Sequence, residues 1–539
     1  MDKQLKFWGW GYEGEGLENG YIKQVEALAG ALFGVKQFTC RTHPALQDIE
    51  LRACRCSPPA ALAAICSSTD YERVLHSYGQ SFYDSVRKLR GEFPNPPDVV
   101  AYPESEEDIA ALYAWAERDG LVLIPFGGGS SVVGGVEPPQ SDRPVVTLNL
   151  RKLNRVLEID EVSQAARIQG GAYGPELEDQ LKSRGYTLRF FPQSFEFSTL
   201  GGWIATRAGG HFAMQETHID DLVESVRMLT PQGVIESRRL PGSGAGPSPD
   251  RQLIGSEGIL GVITEAWVRI RRRPQHKWSA SIRFADFGAA LEAVRRITQS
   301  GLTPSNCRLL DAREAMLNGV AAGDQSVLVL AFESYQQSCE ERFQQALAIA
   351  RSSGGVDSIA DDKKPVERSA GKQTEPVGTD NSGQWKKSFL QMPYLREYLT
   401  ARGIISETFE TAMTWERLPE FIRSVRRATV DAIQEVTGRP GFVSCRLTHL
   451  YPDGAAPYFT FLAYGDPERM IEQCEAIKRA AADRLIELGG TITHHHGVGR
   501  DHRPWYDRQR PDLFARGLRA VKAQLDPKSI LNPGVLIDP

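Results

Sequence analysis

The 539-residue sequence lacks an apolar run long enough to cross a membrane, so no transmembrane helix is expected. It also lacks an excess of positive charge, since 63 basic residues stand against 68 acidic ones. Without a positive field, nucleic acid is not an expected partner. The opening residues, MDKQLKFWGWGYEG, have neither the apolar core of a secretory signal nor the Arg-rich pattern of a transit peptide. The expected location is therefore the cytoplasm.

Cysteine is sparse as well. The eight cysteines form no CxxC pair and are too few for a disulfide framework in a chain of this length, which favours a reducing compartment. What the chain does have is length, because 539 residues exceed what one compact core normally accommodates. Several domains and room for a large cofactor are therefore expected.

The order of β-rich and helical runs along the sequence predicts an α+β protein with four parts. Residues 1–93 mix aromatic and helical segments and are predicted to form an N-terminal helical segment, which ends at a proline cluster. Residues 94–274 alternate β-rich runs such as LVLIPF and PVVTLNL with helical stretches such as EEDIAALYAWAERDG. This alternation indicates an α/β or α+β domain.

A second α+β domain is predicted over residues 275–484. Apolar strands (SASIRFADF, SVLVLAFESY) lie between amphipathic helices (AALEAVRRITQS, EERFQQALAIARSSGG). Within it, residues 357–383 are polar and free of aromatic side chains, and we expect them to be mobile. Residues 485–539 form the remaining C-terminal segment.

The most informative stretch is LVLIPFGGGSSVVGG at residues 121–135, where a β run leads into Gly127, Gly128 and Gly129. Glycines permit positive φ and close backbone approach, so successive amides can form an anion-binding nest without a lysine. The spacing is neither GxGxxG nor a P-loop. Taken alone, three glycines after a strand are equally typical of a tight turn.

Two further small-residue segments accompany this loop: QSFEFSTLGGWIATRAGG at 193–210 and IGSEGILGVITEAWVRI at 254–270. Small residues that expose backbone suit a flat ring system lying against the main chain. In this order, the three segments resemble the PCMH-type FAD domain of the vanillyl-alcohol-oxidase superfamily. The middle segment is especially similar to the alkyldihydroxyacetonephosphate synthases.

That resemblance covers nearly the whole chain. It begins at KFWGWGYEG near residue 6 and continues through CRLLD at 307–311, FETAMTW at 409–415, SCRLTHLYPDGAAPYFTF at 444–461 and THHHGVGR at 493–500 to LDPKSILNPGVL. It implies a PCMH-type FAD-binding domain over 94–274 and a cap or substrate domain over 275–484. It also implies that residues 485–539 complete the active site.

The resemblance implies FAD as the cofactor, held by three segments. They comprise Pro125, Phe126, Gly127, Gly128, Gly129, Ser130 and Ser131; Gln193, Ser194, Phe195, Glu196, Phe197, Ser198 and Thr199 with Thr206, Arg207, Ala208 and Gly209; and Glu257, Gly258, Ile259, Leu260, Gly261, Val262 and Ile263. Gln193 departs from the Asp that is common in the family, and Gly209 from its Ser. The loop at 127–131 has no histidine of the kind that carries covalent flavin, which favours non-covalent FAD.

The catalytic candidates are Tyr458 and the triplet His494, His495 and His496. In the strand PYFTFLAY, alternation is predicted to place Tyr458, Thr460 and Leu462 on one face and Phe459, Phe461 and Ala463 on the other. A tyrosine in a buried strand usually packs, but the resemblance makes Tyr458 the proton donor and acceptor. In an extended segment, consecutive histidines point to opposite faces, so only His494 and His496 would share a side. No CxxC or HExxH motif accompanies them, and a metal site is not expected. The resemblance implies instead that they lie near the flavin and the substrate head group.

Two arginines are the candidates for substrate binding. Arg396, in FLQMPYLREYL, matches the substrate-binding arginine of the family, and a guanidinium suits phosphate or carboxylate. Arg308, in NCRLLD, matches a second arginine that the family needs. Apart from the resemblance, an arginine is usually a solvated surface residue. Lys386 and Lys387 are further candidates for contact with the phosphate.

The function implied is exchange of the acyl chain of acyl-dihydroxyacetone phosphate for a long-chain fatty alcohol, through a flavin N5 adduct and without net redox change. The partners implied are these lipid substrates, a peripheral contact with the inner face of the membrane and a second copy in a homodimer. The apolar stretch PPAALAAICSS would form a helix that takes part in the membrane contact. The alternative is a helix that packs in the protein core. The rival functions are an FAD-dependent dehydrogenase or oxidase of a 2-hydroxy acid, and a flavin-binding protein without catalysis.

Overall fold

The computed structural model describes residues 4–212, 214, 216–357 and 392–538. They form an α+β fold, as predicted, with three principal sheets. Most of the segment predicted to be mobile, 357–383, and both Lys386 and Lys387 lie outside the described residues.

The first sheet has the strand order β1-β2-β4-β3, with β1 at Cys66–Ser67, β2 at Val99–Ala101, β3 at Val122–Phe126 and β4 at Val145–Asn149. Strands β2, β4 and β3 are parallel, and their Val-, Leu- and Ile-rich runs are almost wholly buried, as parallel strands require. Helix α4 (Glu106–Asp119) packs in the same core, and the Ser105 side chain caps its first turn. The glycine-rich loop leaves this sheet at the end of β3.

The second sheet has the order β5-β6-β10-β8-β9 and is antiparallel. Its strands are β5 (Val156–Asp160), β6 (Ala165–Gln169), β8 (Val223–Thr230), β9 (Gly233–Glu236) and β10 (Val262–Arg269). Helices α5 (Gly174–Lys182), α6 (Leu200–Thr206) and α7 (Pro249–Leu253) lie between these strands in the chain, and a two-stranded pair, β7 (Tyr186–Thr187) with β11 (Arg271–Arg272), adjoins them. Side chains of this sheet and its helices share one core around Trp203.

The third sheet is the largest, with the order β15-β12-β14-β13-β18-β19-β16 and β17 paired to β19. Its strands are β12 (His276–Phe284), β13 (Asn306–Leu310), β14 (Ser326–Ser334), β15 (Val356–Asp357), β16 (Ile404–Glu410), β17 (Met413–Thr414), β18 (Phe442–Tyr451) and β19 (Gly454–Tyr464). Helices α8 (Phe287–Gln299), α10 (Glu340–Ser352), α12 (Leu418–Thr437) and α13 (Met470–Glu487) pack on one apolar face. A short helix, α9 (Ala312–Leu317), follows β13.

Alternation along β19 decides which side chains reach the active site. Phe459, Phe461 and Ala463 lie in the core under the helices, while Tyr458 and Thr460 take the opposite face. The sequence pattern predicted this division. The polar face also carries Arg446, which lies directly across from Tyr458 on β18.

The N-terminal part contains helices α1 (Asn19–Phe33), α2 (Asp70–Leu75) and α3 (Phe82–Arg90), with no α-helix between Phe33 and Asp70. The helix predicted over PPAALAAICSS is wrong: the chain forms a 3-10 turn at Ala63–Ile65 and then β1. The stretch does not form an α-helix because two prolines stand at its start and because β1, at its end, pairs with β2.

Helix α11, described over residues 392–400, precedes β16 of the third sheet. The C-terminal part comes after this sheet. It consists of helices α14 (Arg503–Gln509) and α15 (Asp512–Leu525) and a final turn. That turn lies beside the first sheet, where Leu531 forms a bridge to Leu123. The chain therefore returns to the glycine-rich loop. The exact domain boundaries stay predictions. None of the helices in the described residues is both long and apolar enough to span a membrane.

Candidate active site

The loop after β3 presents a row of unused backbone donors. Within the described residues, no group accepts a hydrogen bond from the amides of residues 127–131. Gly129 has a φ of +69°, which glycine adopts without strain. A Cβ on Gly128 would lie 1.9 Å from the carbonyl oxygen of Phe197. The loop therefore fits a phosphate-bearing ligand, and its glycines are sterically required.

The second predicted segment lies against this loop. The position that a Cβ would take on Gly127 is 2.4 Å from Oγ1 of Thr199, and Thr199 also caps helix α6 by accepting from the Gly202 amide. At the end of the segment, a Cβ on Gly209 would lie 3.0–3.1 Å from the imidazole of His449 and from Cβ of His495. The small residue at 209, where the family often has Ser, thus lets the histidines approach the main chain closely.

The third segment connects the cofactor bed, formed by the loop at 127–131 and the segment at 193–209, to the C-terminal part. The Glu257 carboxylate accepts hydrogen bonds from the amides of Val498 and Gly499, both at 2.7 Å. Asn532, in the NPGVL turn, donates to the carbonyls of Glu257 and Gly135. Burial raises the pKa of Glu257 to about 7, although the two amides oppose this shift. The three predicted FAD segments therefore meet at one place, and the individual FAD contacts stay predictions.

Tyr458 lies where these segments meet the third sheet. Its side chain is only 4% exposed, and its hydroxyl donates to Oγ1 of Thr408 at 3.0 Å. The Arg446 guanidinium stacks 3.8 Å from the ring centre and forms a buried ion pair with Glu314. Burial raises the pKa of Tyr458 and the charge of Arg446 opposes the shift, so the phenol is protonated at neutral pH.

The histidine triplet is not extended, and the prediction that its rings alternate between faces is wrong. The amides of His494, His495 and His496 all donate to the carboxylate of Glu410, as does the hydroxyl of Thr493. The segment wraps around this carboxylate, so the three rings stay together. The ring of His495 lies 6.0 Å from that of Tyr458 at 22°, and the ring of His496 lies at 5.5 Å.

Glu410 is fully buried and was not identified from the sequence, although it lies in the FETAMTW segment. Burial alone would raise the pKa of Glu410, but His496, His494 and the donated hydrogen bonds lower it to about 2. Burial also lowers the pKa of each imidazole in the triplet. The site thus holds a charged carboxylate beneath neutral histidines.

Sequence reasoning also missed His218, His449 and Tyr451, which surround His494. The ring of His449 lies 4.9 Å from that of His494, and the ring of His218 lies at 4.6 Å. The signal for two of them was present, because His449 and Tyr451 fall in the THLY part of a segment that resembles the family. Nothing in the local pattern around His218 pointed to the site.

The two predicted arginines have different partners. Arg308 is 2% exposed and contacts Nδ1 of His211 at 3.4 Å; burial and the nearby charge of Arg446 lower its pKa to about 9. Arg396 donates to the carbonyl of Gln80 at 2.7 Å and to Glu407 at 3.2 Å. Their roles toward substrate stay predictions.

Two groups of donors come close enough to hold a metal ion, namely His449, His494 and His495, and Glu410, His495 and His496. In the first group, both ring nitrogens of His449 are engaged, by the Gly210 carbonyl and the Thr448 hydroxyl. In the second, the Glu410 oxygens accept the loop amides. We assign no metal to either group, and the expectation of a metal-free site stays a prediction.

Comparison with known proteins agrees with this geometry. Residues 97–237 match the model of an FAD binding domain, and residues 273–536 match the C-terminal domain of FAD linked oxidases. The chain shares its fold with p-cresol methylhydroxylase, with a TM-score of 0.68 over 97% of this chain and 98% of that one at 13% identity. The fold and site thus define an FAD-binding protein with the fold of p-cresol methylhydroxylase and the domains of the FAD linked oxidases.

The nearer relatives narrow this class. The chain is 32% identical to alkyldihydroxyacetonephosphate synthase of Dictyostelium discoideum and 30% identical to that of Trypanosoma brucei brucei, over 86–87% of this chain and 77% of each relative. A crystal structure of an alkyldihydroxyacetonephosphate synthase superposes with a TM-score of 0.82 at 25% identity and 98% coverage of both chains. The chain belongs to the alkyldihydroxyacetonephosphate synthase family.

A substitution in the glycine loop tests the cofactor bed. Gly128→Ala should weaken FAD binding by roughly 100-fold, because the new Cβ must displace the Phe197 carbonyl and with it the loop amides. Fluorescence titration of the FAD-free protein with FAD measures the affinity. Gly242→Ala, where a Cβ meets nothing within 4 Å, should leave the affinity unchanged. Equal affinities for wild type and Gly128→Ala would exclude this loop as the phosphate site.

A second substitution tests the carboxylate under the triplet. Glu410→Gln should destabilise the protein by about 2–4 kcal/mol at pH 7, because one amide oxygen cannot accept all of these donors. The folded-state pKa of Glu410 lies below its unfolded value, so its stabilisation is present above about pH 4.3 and is lost as the pH falls toward 2.

The thermal unfolding midpoints of wild type and Glu410→Gln should therefore differ most near neutral pH and converge below about pH 4. The exposed Glu420→Gln serves as the matched control and should follow wild type throughout. A pH-independent difference between wild type and Glu410→Gln would show that the charge of Glu410 does not support the loop.

Proposed function

We propose that the protein is an alkyldihydroxyacetonephosphate synthase, which replaces the acyl chain of acyl-dihydroxyacetone phosphate with a long-chain fatty alcohol to form an ether bond. Family membership supports this activity, and so does the position of Tyr458 beside the histidine cluster and the amide-lined cofactor bed. The observation that carries the proposal is this convergence of a buried phenol with neutral imidazoles. The substrates proposed are therefore lipids.

Bound FAD, held by the three glycine-containing segments, would supply an electrophilic centre for the substrate carbon. The protein provides the proton transfers. A phenol that is protonated at neutral pH begins as a proton donor, and it accepts a proton only after giving up its own. Neutral imidazoles begin as proton acceptors. This assigns the first abstraction of a substrate proton to the triplet and the donation to Tyr458.

The arginines and the burial of the site complete this arrangement. Arg396 and Arg308 supply fixed positive charge for the phosphate of the substrate. Tyr458 is nearly inaccessible to solvent, so water competes poorly with the alcohol as a nucleophile. Because the entering and leaving groups are both oxygen nucleophiles, the overall exchange leaves the flavin oxidised.

The second candidate is an FAD-dependent dehydrogenase or oxidase of a 2-hydroxy acid. It is favoured by 25% identity to a glycolate oxidase subunit of Bacillus subtilis over 82% of this chain, and by 26% identity to the mitochondrial D-lactate dehydrogenase of Arabidopsis thaliana. Such an enzyme reduces its flavin. Anaerobic bleaching of the flavin by D-lactate or glycolate would indicate it, and label from hexadecanol in an alkyl product would indicate the synthase.

Tyr458→Phe tests the proton transfer. With palmitoyl-dihydroxyacetone phosphate and labelled hexadecanol, the variant should form labelled ether at least ~100-fold more slowly than wild type and keep its FAD. Tyr464→Phe, on the same strand but packed against Phe33 and Phe38, serves as the control and should keep the wild-type rate. An undiminished rate in Tyr458→Phe would refute the role of the phenol.

We propose that FAD is bound without a covalent link, since the loop at 127–131 contains no histidine. Acid precipitation of the purified protein should therefore leave all of the flavin absorbance in the supernatant. Flavin that stays with the precipitated protein would contradict this assignment. Free FAD mixed with the FAD-free protein provides the recovery control.

The remaining assignments follow from the lipid substrates and the family. We propose a cytoplasmic enzyme that contacts the inner face of the membrane peripherally and forms a homodimer. Sedimentation with lipid vesicles tests the membrane contact. Light scattering during gel filtration tests the dimer.

A further inference from the structure

We infer that His494 is the centre of a proton relay that links the reactive side of the site, at His495, to Tyr451 and His218. This inference rests on the proposed function, because the reaction must move a proton away from the alcohol. It assigns catalytic work to Tyr451 and His218, neither of which was a candidate from the sequence.

The relay is a continuous set of short contacts. Nδ1 of His494 lies 3.1 Å from Nδ1 of His495. On the other side of the same ring, Nε2 of His494 lies 2.7 Å from the hydroxyl of Tyr451 and 3.3 Å from Nε2 of His218. Both nitrogens of one imidazole therefore have partners that exchange protons.

The hydrogen positions in this set are coupled. A neutral imidazole carries one N–H hydrogen, and burial lowers the pKa of His494 and His495, so each ring has one such hydrogen at neutral pH. A bond between two Nδ1 atoms needs a hydrogen on one and a lone pair on the other. The tautomer of His494 therefore dictates the tautomer of His495.

Both tautomers of His494 have partners. With its hydrogen on Nδ1, His494 donates to His495 and accepts from the Tyr451 hydroxyl at Nε2. With its hydrogen on Nε2, it accepts from His495 and donates toward His218. The Nδ1 atom of His218 faces the carbonyl of Arg207 at 2.9 Å, which places the hydrogen of a neutral His218 there and leaves Nε2 as an acceptor. His494 is thus satisfied before and after a proton crosses it.

Glu410 keeps the relay aligned. Its carboxylate binds the amides of His494 and His495, so the two backbones are fixed relative to each other. Gly209 adds a second constraint, because it lets the backbone near residue 209 approach His495 closely. The inner member of the relay, His495, lies against the ring of Tyr458. The outer member, Tyr451, ends β18 and is only partly buried.

The proton balance of the proposed reaction requires such a path. A bond forms between the substrate carbon and the alcohol oxygen, and the carbon–oxygen bond to the acyl group breaks. The fatty acid leaves as a carboxylate with the electron pair of that bond. One proton, from the alcohol hydroxyl, remains to be removed.

The relay removes this proton without a net change in the chain. His495 takes the proton at its free nitrogen and passes its Nδ1 hydrogen to His494. His494 passes its Nε2 hydrogen to His218 or to the Tyr451 oxygen, as the Tyr451 hydroxyl hydrogen moves on to solvent. Each group then returns to its starting state by exchange with water.

The test compares Tyr451→Phe, His218→Asn and the double variant, each loaded with FAD. Each single variant should lower kcat for ether formation by only about twofold and the double variant by about 100-fold, because either Tyr451 or His218 alone can still accept the proton from His494. KM for both substrates and FAD affinity should stay within about twofold of wild type. The solvent deuterium isotope effect on kcat should rise in the variants, since proton transfer becomes rate-limiting. Tyr464→Phe is the matched control.

A readout that does not need activity is the ¹⁵N NMR spectrum of histidine-labelled protein without FAD. In wild type, both nitrogens of His494 should have shifts intermediate between the protonated and lone-pair limits. In Tyr451→Phe they should move to the limits of one tautomer, because the hydroxyl that supports the other is gone. The resonances are assigned from His494→Gln.

The outcomes separate the relay from the proposed function. A wild type that forms no ether refutes the proposed function, while coupled ¹⁵N shifts would still support the exchange between His494 and its neighbours. An ether-forming wild type whose Tyr451→Phe/His218→Asn variant keeps full kcat overturns the relay. A loss of kcat accompanied by loss of FAD would assign these residues a structural role and would also overturn it.

Discussion

Three consecutive backbone amides of the histidine loop donate to the buried carboxylate of Glu410, and the arrangement of the imidazoles follows from that contact. A carboxylate without water is stable only when donors surround it, so the loop and the carboxylate stabilise each other. Glu410 ends β16, directly across from Tyr458 on β19. One strand pairing therefore fixes the phenol and the histidines relative to each other.

A second buried carboxylate performs the same task on the cofactor side. Glu257 accepts the amides that follow the triplet, and its own carbonyl accepts from Asn532 in the last turn of the chain. The cofactor segments, the histidine loop and the C-terminus are thus joined by hydrogen bonds to one residue. This explains how segments hundreds of residues apart form one site.

Much of this architecture could be predicted from the sequence, for reasons that differ between its parts. The strands at LVLIPF and PVVTLNL and the alternation around Tyr458 are local patterns, and they are confirmed. The shape of the histidine triplet was not predictable, because it depends on a carboxylate 84 residues earlier in the chain. The apolar stretch that begins at Pro58 was predicted as a helix, but pairing of its end with β2 prevents this. His218 reaches the site only through tertiary folding.

The most direct test of the account is the crystal structure of the protein with FAD. The pyrophosphate should lie within hydrogen-bond distance of the amides of residues 127–131, and the flavin ring should lie beside Tyr458 and His495 with Gly209 close to it. A structure in which those amides have no phosphate partner would contradict the account. So would a flavin separated from Tyr458 by the packed side chains of the third sheet.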